Sequence, residues 1–175
     1  MKKLVTTIIW LMNRIATVTV WLMVSYFVLL AFGVIVNMFL NTLSLRTFER
    51  NFAVIEHPAL TTSLAMFSKI GQLGGNSNHC DYFIGNLRSA NLPKDTILAH
   101  YGDRSIPSPD PHFGDTTKIR LWFFGEQMTE ESSVDTLFNS PAHWGIDVAG
   151  YEKELFYVAY AQESGAPAGG DVRCH

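Results

Sequence analysis

Two cysteines, Cys80 and Cys174, and six histidines at positions 57, 79, 100, 112, 143 and 175 are the side chains best suited to redox or metal chemistry. The pairs His79-Cys80 and Cys174-His175 would converge if the cysteines met, giving two nitrogen and two sulfur donors for zinc or copper. Adjacent ligands strain a tetrahedral site, because the usual Cys–Cys and His–His spacings of such sites leave at least two residues between the donors. A disulfide between Cys80 and Cys174 is the simpler expectation. It would pin a glycine-rich tail and close a loop of roughly a hundred residues, worth about 4–5 kcal/mol in the chain-entropy account. No C-x-x-C is present, so a thioredoxin-like role has no support.

Other chemistry is signalled weakly. Ser108, Ser133, His100, His112 and Asp110 can be assembled into nucleophile and base sets, but any chain of this size permits that. Glu126, Glu130, Glu131 and Asp135 supply carboxylates of the kind used in glycan hydrolysis, yet their turn-rich setting reads as a solvated acidic face. H-E-x-x-H, G-x-S-x-G and the phosphate-binding glycine loop are all absent. No catalytic, cofactor-binding or metal-binding residue is therefore assigned. Aromatic residues gather in the C-terminal third. A core is the plainer use for them; Trp122, Phe124, Trp144 and Tyr157 are the candidates for an exposed interaction surface. The segments HCDYFIGNLRS and DVRCH stand out as motif-like without an activity attached.

What must position these residues is suggested by the charge distribution. The 175 residues are 47% hydrophobic with a formal net charge of -3. That total conceals a division. Residues 1–48 carry Lys2, Lys3, Arg14 and Arg46 and no acid, whereas all 16 acidic residues lie from Glu49 onward. A basic nucleic-acid-binding face and a wholly disordered chain are both excluded.

Between Ile15 and Leu40 runs IATVTVWLMVSYFVLLAFGVIVNMFL, without a charge. As a helix it would extend roughly 39 Å, against a hydrocarbon core of about 30 Å. A cleavable leader needs an apolar core of about 7–15 residues and a small-residue cleavage site. Leu4–Met12 has that length, but Asn13-Arg14 follows it without such a site, and the longer run exceeds the length. The expectation is an uncleaved signal anchor. Lys2, Lys3 and Arg14 place the N-terminus in the cytoplasm by the positive-inside rule, and the remainder outside. The run lacks Asp, Glu, Lys, Arg and His, which argues against an ion or proton pathway. The MKK start and the absence of any N-x-S/T sequon point to a bacterial inner membrane with a periplasmic domain.

The expected organisation is a cytoplasmic stub and anchor over 1–44, a membrane-proximal connection over 45–57, and an α+β domain over 58–175. Leu60, Leu64, Phe67 and Gly71 recur at helical spacing and predict a helix over 58–71. A second helix is predicted from His79, with Cys80, Phe83, Ile84 and Leu87 on one face. A third is expected to start at Pro93 and end at Gly102, with Ile97, Leu98 and Tyr101 as its apolar stripe. Residues 103–117 read as a flexible insertion. Lys118–Phe124 alternates as a strand, and Trp144–Val148 with Glu154–Ala161 as a hairpin, with Phe156, Val158 and Tyr160 facing one way and Leu155, Tyr157, Ala159 and Ala161 the other. Short helices packed on an antiparallel sheet follow.

A basic start, a long N-terminal apolar helix and an expected disulfide to the C-terminus together resemble type IV pilin-like subunits. The family's Gly before a cleavage site and Glu five residues on have no counterpart, because no Glu precedes Glu49. The leading expectation is an accessory or assembly subunit of a membrane or envelope complex. Its partners would be the lipid bilayer and an envelope or membrane protein, with no nucleic acid and no cofactor. An anchored envelope hydrolase is the principal alternative. A metal or redox sensor at His79, Cys80, Cys174 and His175 is a more distant one, as is a pilin-like subunit.

Overall fold

A computed structural model describes residues 2–71, 79–109, 114–123 and 155–174. One helix, α1 (Lys2–Ala53), runs 52 residues without interruption. Strands β1 (Thr61–Gly71) and β2 (His79–Ala90) follow, then a short helix α2 (Lys94–Tyr101). Next come β3 (Ser105–Pro107), β4 (Thr116–Lys118) and β5 (Arg120–Phe123). The long strand β6 (Leu155–Pro167) and a 3-10 turn at Val172–Cys174 complete the described chain. The fold is α+β: one long apolar N-terminal helix with an antiparallel sheet.

The main sheet has four strands in the order β1-β2-β6-β5, each pairing antiparallel with its neighbour. Register assigns the two faces. Tyr82 is opposite Ile70, Ile84 is opposite Ala161, and Tyr157 is opposite both Arg88 and Phe123. These share the face turned to the core, where Phe48 and Phe52 of α1 pack with Ile97 and Tyr101 of α2. Phe83, Gly85 and Leu87 occupy the other face, with Val158 and Tyr160 of β6 and Trp122 of β5. The predicted alternation in the final strand and in Leu121–Phe123 agrees with this register.

Two predicted helices are strands instead. The helix expected over 58–71 is β1, and the one expected from His79 is β2. β2 is a central strand, and every residue from Cys80 to Arg88 is buried. A strand covered on both faces loses the polar alternation that identifies a strand in sequence. In β1 the register shifts between Ser63 and Ala65, leaving Leu64 at a bulge, and the apolar residues then fall by accident at helical spacing.

α2 begins after Pro93 and stops at Gly102, as expected, although Leu98 is exposed and only Ile97 and Tyr101 are buried. The insertion over 103–117 has structure at its base, where β3 pairs with β4. The acidic stretch from Glu126 and the Trp144–Val148 strand lie outside the described residues.

Candidate functional site

The surface of α1 changes along its length. From Thr7 to Phe32 every side chain is exposed, and the helix is long and apolar enough, by length and composition, to cross a membrane. From Gly33 onward one side becomes covered, and by Phe48 and Phe52 the helix is part of the core. What covers it first is the C-terminal tail. After buried Ala168, Gly169 and Gly170 both adopt positive φ, at 56° and 85°. A side chain on Gly169 would meet Asn37 at 2.7 Å, and one on Gly170 would meet Val34 at 3.2 Å. Here the glycines provide both the left-handed turn and the close approach of main chain to helix. Asn37 Nδ2 donates to the Gly169 carbonyl.

Beyond that turn lies a polar cluster. Asn41 Nδ2 donates to Asp171 Oδ2 at 3.0 Å and approaches Cys80 Sγ at 3.3 Å, while its Oδ1 accepts from the Tyr82 hydroxyl at 3.0 Å. Arg173 holds Asp171 with two donors, Nε at 2.9 Å and Nη2 at 2.6 Å. It also reaches Thr42 Oγ1 at 3.1 Å and the Met38 carbonyl at 2.9 Å. Asp171 is fully buried. Its carboxyl is held at about 2, below the usual 3.8, chiefly by the Arg173 hydrogen bonds working against burial. The same hydrogen bonds push Arg173 upward.

Cys80 and Cys174 form the expected disulfide, with Cα atoms 4.9 Å apart, and it fastens the 3-10 turn to β2. Asp171 lies within 4.8 Å of both sulfurs. The sulfurs are joined to each other and offer no thiolate, and the carboxylate is engaged by Arg173 and Asn41, so the group is a structural staple. His79 is turned to Asp81 at 3.0 Å, and His175 lies outside the described residues.

A second polar cluster sits at the opposite end of the core. His57 Nδ1 is 2.5 Å from the Tyr101 hydroxyl, which is 3.5 Å from that of Tyr157. Burial, then the electrostatic influence of neighbouring Arg88, His100 and Arg104, brings His57 down to about 4. Burial and the Tyr157 hydrogen bond push the Tyr101 phenol upward. The result is a neutral histidine bridging α1's exit loop to α2. His100 is directed to the Glu56 carbonyl at 2.9 Å. Asp110, His112 and Ser133 lie outside the described residues, as do Glu126, Glu130, Glu131 and Asp135.

The aromatic surface is arranged differently from the expectation. Tyr157 is fully buried in the core and presents no surface, because it shares the inner face with Phe123. Trp122 is half-buried on the other face, and Phe124 and Trp144 lie outside the described residues. A ladder of rings crosses that face: Phe67 stacks on Phe83 at 5.7 Å, and Phe83 on Tyr160 at 5.5 Å. Reading β1 and β2 as helices concealed it. The tail cluster was also missed. Asn37 and Asn41, one helical turn apart in an apolar run, and the DVRCH ending were its available signals.

Comparison of the chain with protein-family models, with curated proteins and with solved structures finds no match.

Proposed function

We propose that the protein is a single-pass membrane protein of a bacterial inner membrane. In this reading its N-terminus is cytoplasmic and its α+β domain periplasmic, and it serves as an accessory or assembly subunit of a membrane or envelope complex. The observation that carries the reading is the division of α1. The stretch Thr7–Phe32 has every side chain exposed and is strongly apolar, while the same helix enters the domain core at Phe48 and Phe52. So large an exposed apolar surface calls for lipid or a partner to cover it. The Cys80–Cys174 disulfide supports an oxidising compartment for the domain.

The test has two parts. Alkaline carbonate extraction should leave the full-length protein in the membrane pellet, and protease added outside spheroplasts should remove the domain. Release into the supernatant, or protection of the domain from that protease, would count against anchoring or orientation. Purification in mild detergent should then bring down a defined membrane or envelope partner. Recovery of a lone monomer across detergents would remove the assembly role.

A pilin-like subunit is the second reading. It is favoured by a helix that is bare in its first half and lies against an antiparallel sheet in its second, with a disulfide at the C-terminus. Cross-linking along the bare half should then yield ladders of copies rather than one heteromeric band.

A further inference from the structure

The end of the uncharged run coincides with the tail cluster. At 1.5 Å per residue, Arg14 to Val34 spans about 30 Å, the thickness of the hydrocarbon core. The tail begins there, with Gly170 against Val34 and Gly169 against Asn37. Uncharged residues nevertheless continue to Leu45, just before Arg46. In this interval the outward groups are apolar on more than one side. Ile35, Phe39 and Leu40 are exposed on the flanks and back of α1 at 64%, 62% and 51%, and Val172 is exposed on the tail at 64%. Exposed Arg46 and Arg50 follow only after Leu43.

Asn37, Asn41 and Thr42, on the tail side of the interval, are engaged with the tail or the core. Asn41 uses both ends of its amide on Asp171, Cys80 and Tyr82. Asp171 is fully buried, and Arg173 spends its donors on Asp171, Thr42 and the Met38 carbonyl. Polar groups satisfied internally beneath an apolar exterior are what a low-water environment requires. A protein partner would cover one side, whereas lipid surrounds.

We propose that the C-terminal turn, Gly169–Cys174, is seated on the lipid bilayer as a one-sided collar against α1, with Val172 entering the interfacial layer. The proposal rests on the reading that α1 spans a membrane. Its ligand is the apolar part of the lipid interface rather than an anionic headgroup, because the turn's one cation is committed to Asp171. The Cys80–Cys174 bond keeps the turn at this height.

The test uses the full-length chain in nanodiscs, made of phosphatidylcholine alone or mixed with phosphatidylglycerol. A spin label is carried on a non-cysteine unnatural side chain at position 24, 54 or 172. Accessibility to dissolved oxygen is compared with accessibility to a water-soluble nickel complex. Position 172 should be several-fold less accessible to nickel than position 54, which replaces the exposed Val54, and the result should be the same in both lipids. Nickel accessibility at 172 equal to that at 54, with 24 still protected, would overturn the collar and leave the spanning helix intact. Protection at 172 only in the anionic lipid would overturn the apolar seat. Nickel access at 24 would overturn the spanning reading, and the collar with it.

Discussion

Arg173 Nη2 lies 2.9 Å from the main-chain carbonyl oxygen of Met38, 135 positions earlier in the chain. That carbonyl also accepts from the Thr42 hydroxyl at 2.7 Å, and Thr42 Oγ1 in turn accepts from Arg173 Nη1 at 3.1 Å. The helix and the C-terminal turn are thereby closed into one hydrogen-bonded ring, with Asp171 as the guanidinium's counter-charge.

Removing that counter-charge should loosen the tail. Asp171→Ala leaves a partly buried guanidinium without its carboxylate and Asn41 Nδ2 with only the Cys80 sulfur to donate to. Hydrogen bonds to charged groups contribute about 1.5–3 kcal/mol each, so a loss of roughly 2 kcal/mol is expected after partial rescue by water. Thermal unfolding in detergent, followed by the near-ultraviolet signal of the aromatic core, should shift down by several degrees. An unchanged midpoint would show that the ring contributes nothing.

Reducing the disulfide should have a larger effect. The bond closes a separation of 94 residues, for which the chain-entropy account gives about 4–5 kcal/mol. The double variant Cys80→Ala/Cys174→Ala should unfold well below the oxidised protein, and a reductant should not lower its midpoint further. Intact mass under non-reducing conditions should show both thiols oxidised in the parent chain.

Stability should also fall with acid, in two steps. His57 sits at about 4 in the folded protein against an ordinary 6.5. The unfolded chain therefore binds the extra proton between those values, and the stability of the neutral ring is present above about 6.5 and lost as pH falls towards 4. Asp171, at about 2 against 3.8, contributes stability that is present above its ordinary value and lost as pH falls through 2. Unfolding midpoints measured from pH 7 to pH 2 should decline in both windows. His57→Gln should flatten the upper window and leave the lower one, and an equal slope in the upper window for both proteins would exclude His57 as its source.

The ring ladder depends on a glycine. A side chain on Gly85 would lie 2.6 Å from the Phe67 ring and 3.2 Å from Val158 Cγ1. Phe67 is the cross-strand partner of Gly85 and covers it. Gly85→Ala must push that ring away from Phe83, an overpacking cost of about 1–3 kcal/mol. Phe67→Ala in the same background should recover part of the loss, because the displaced ring is then gone. Denaturation of the single and double variants measures the coupling; strictly additive losses would contradict the contact.

What the sequence revealed depended on the kind of signal. The long helix was readable because an uncharged run needs no partner to declare itself. The Cys80–Cys174 pair followed from there being only two cysteines in the chain. α2 was bracketed by Pro93 and Gly102. β1 and β2 carry no strand pattern in the sequence, because β2 is covered on both faces and β1 is bulged at Leu64, and each feature erases the two-residue period. Tyr157 and Trp122 are neighbours in the aromatic composition, but strand parity puts the first in the core and the second on the opposite face. The tail cluster depends on Asn41 meeting Asp171, a contact between residues 130 positions apart that no local pattern announces.

The unbroken course of α1 has a mechanical consequence. Its 52 residues form a shaft of about 78 Å. Phe48 and Phe52 key its far end into the sheet, and the tail holds it nearer the middle, through Arg173 on the Met38 carbonyl and the Gly169 carbonyl on Asn37. No hinge intervenes between the apolar end and the core. A rotation imposed on the shaft at Leu22 is therefore carried towards the sheet through continuous helix, with no linker between to take it up.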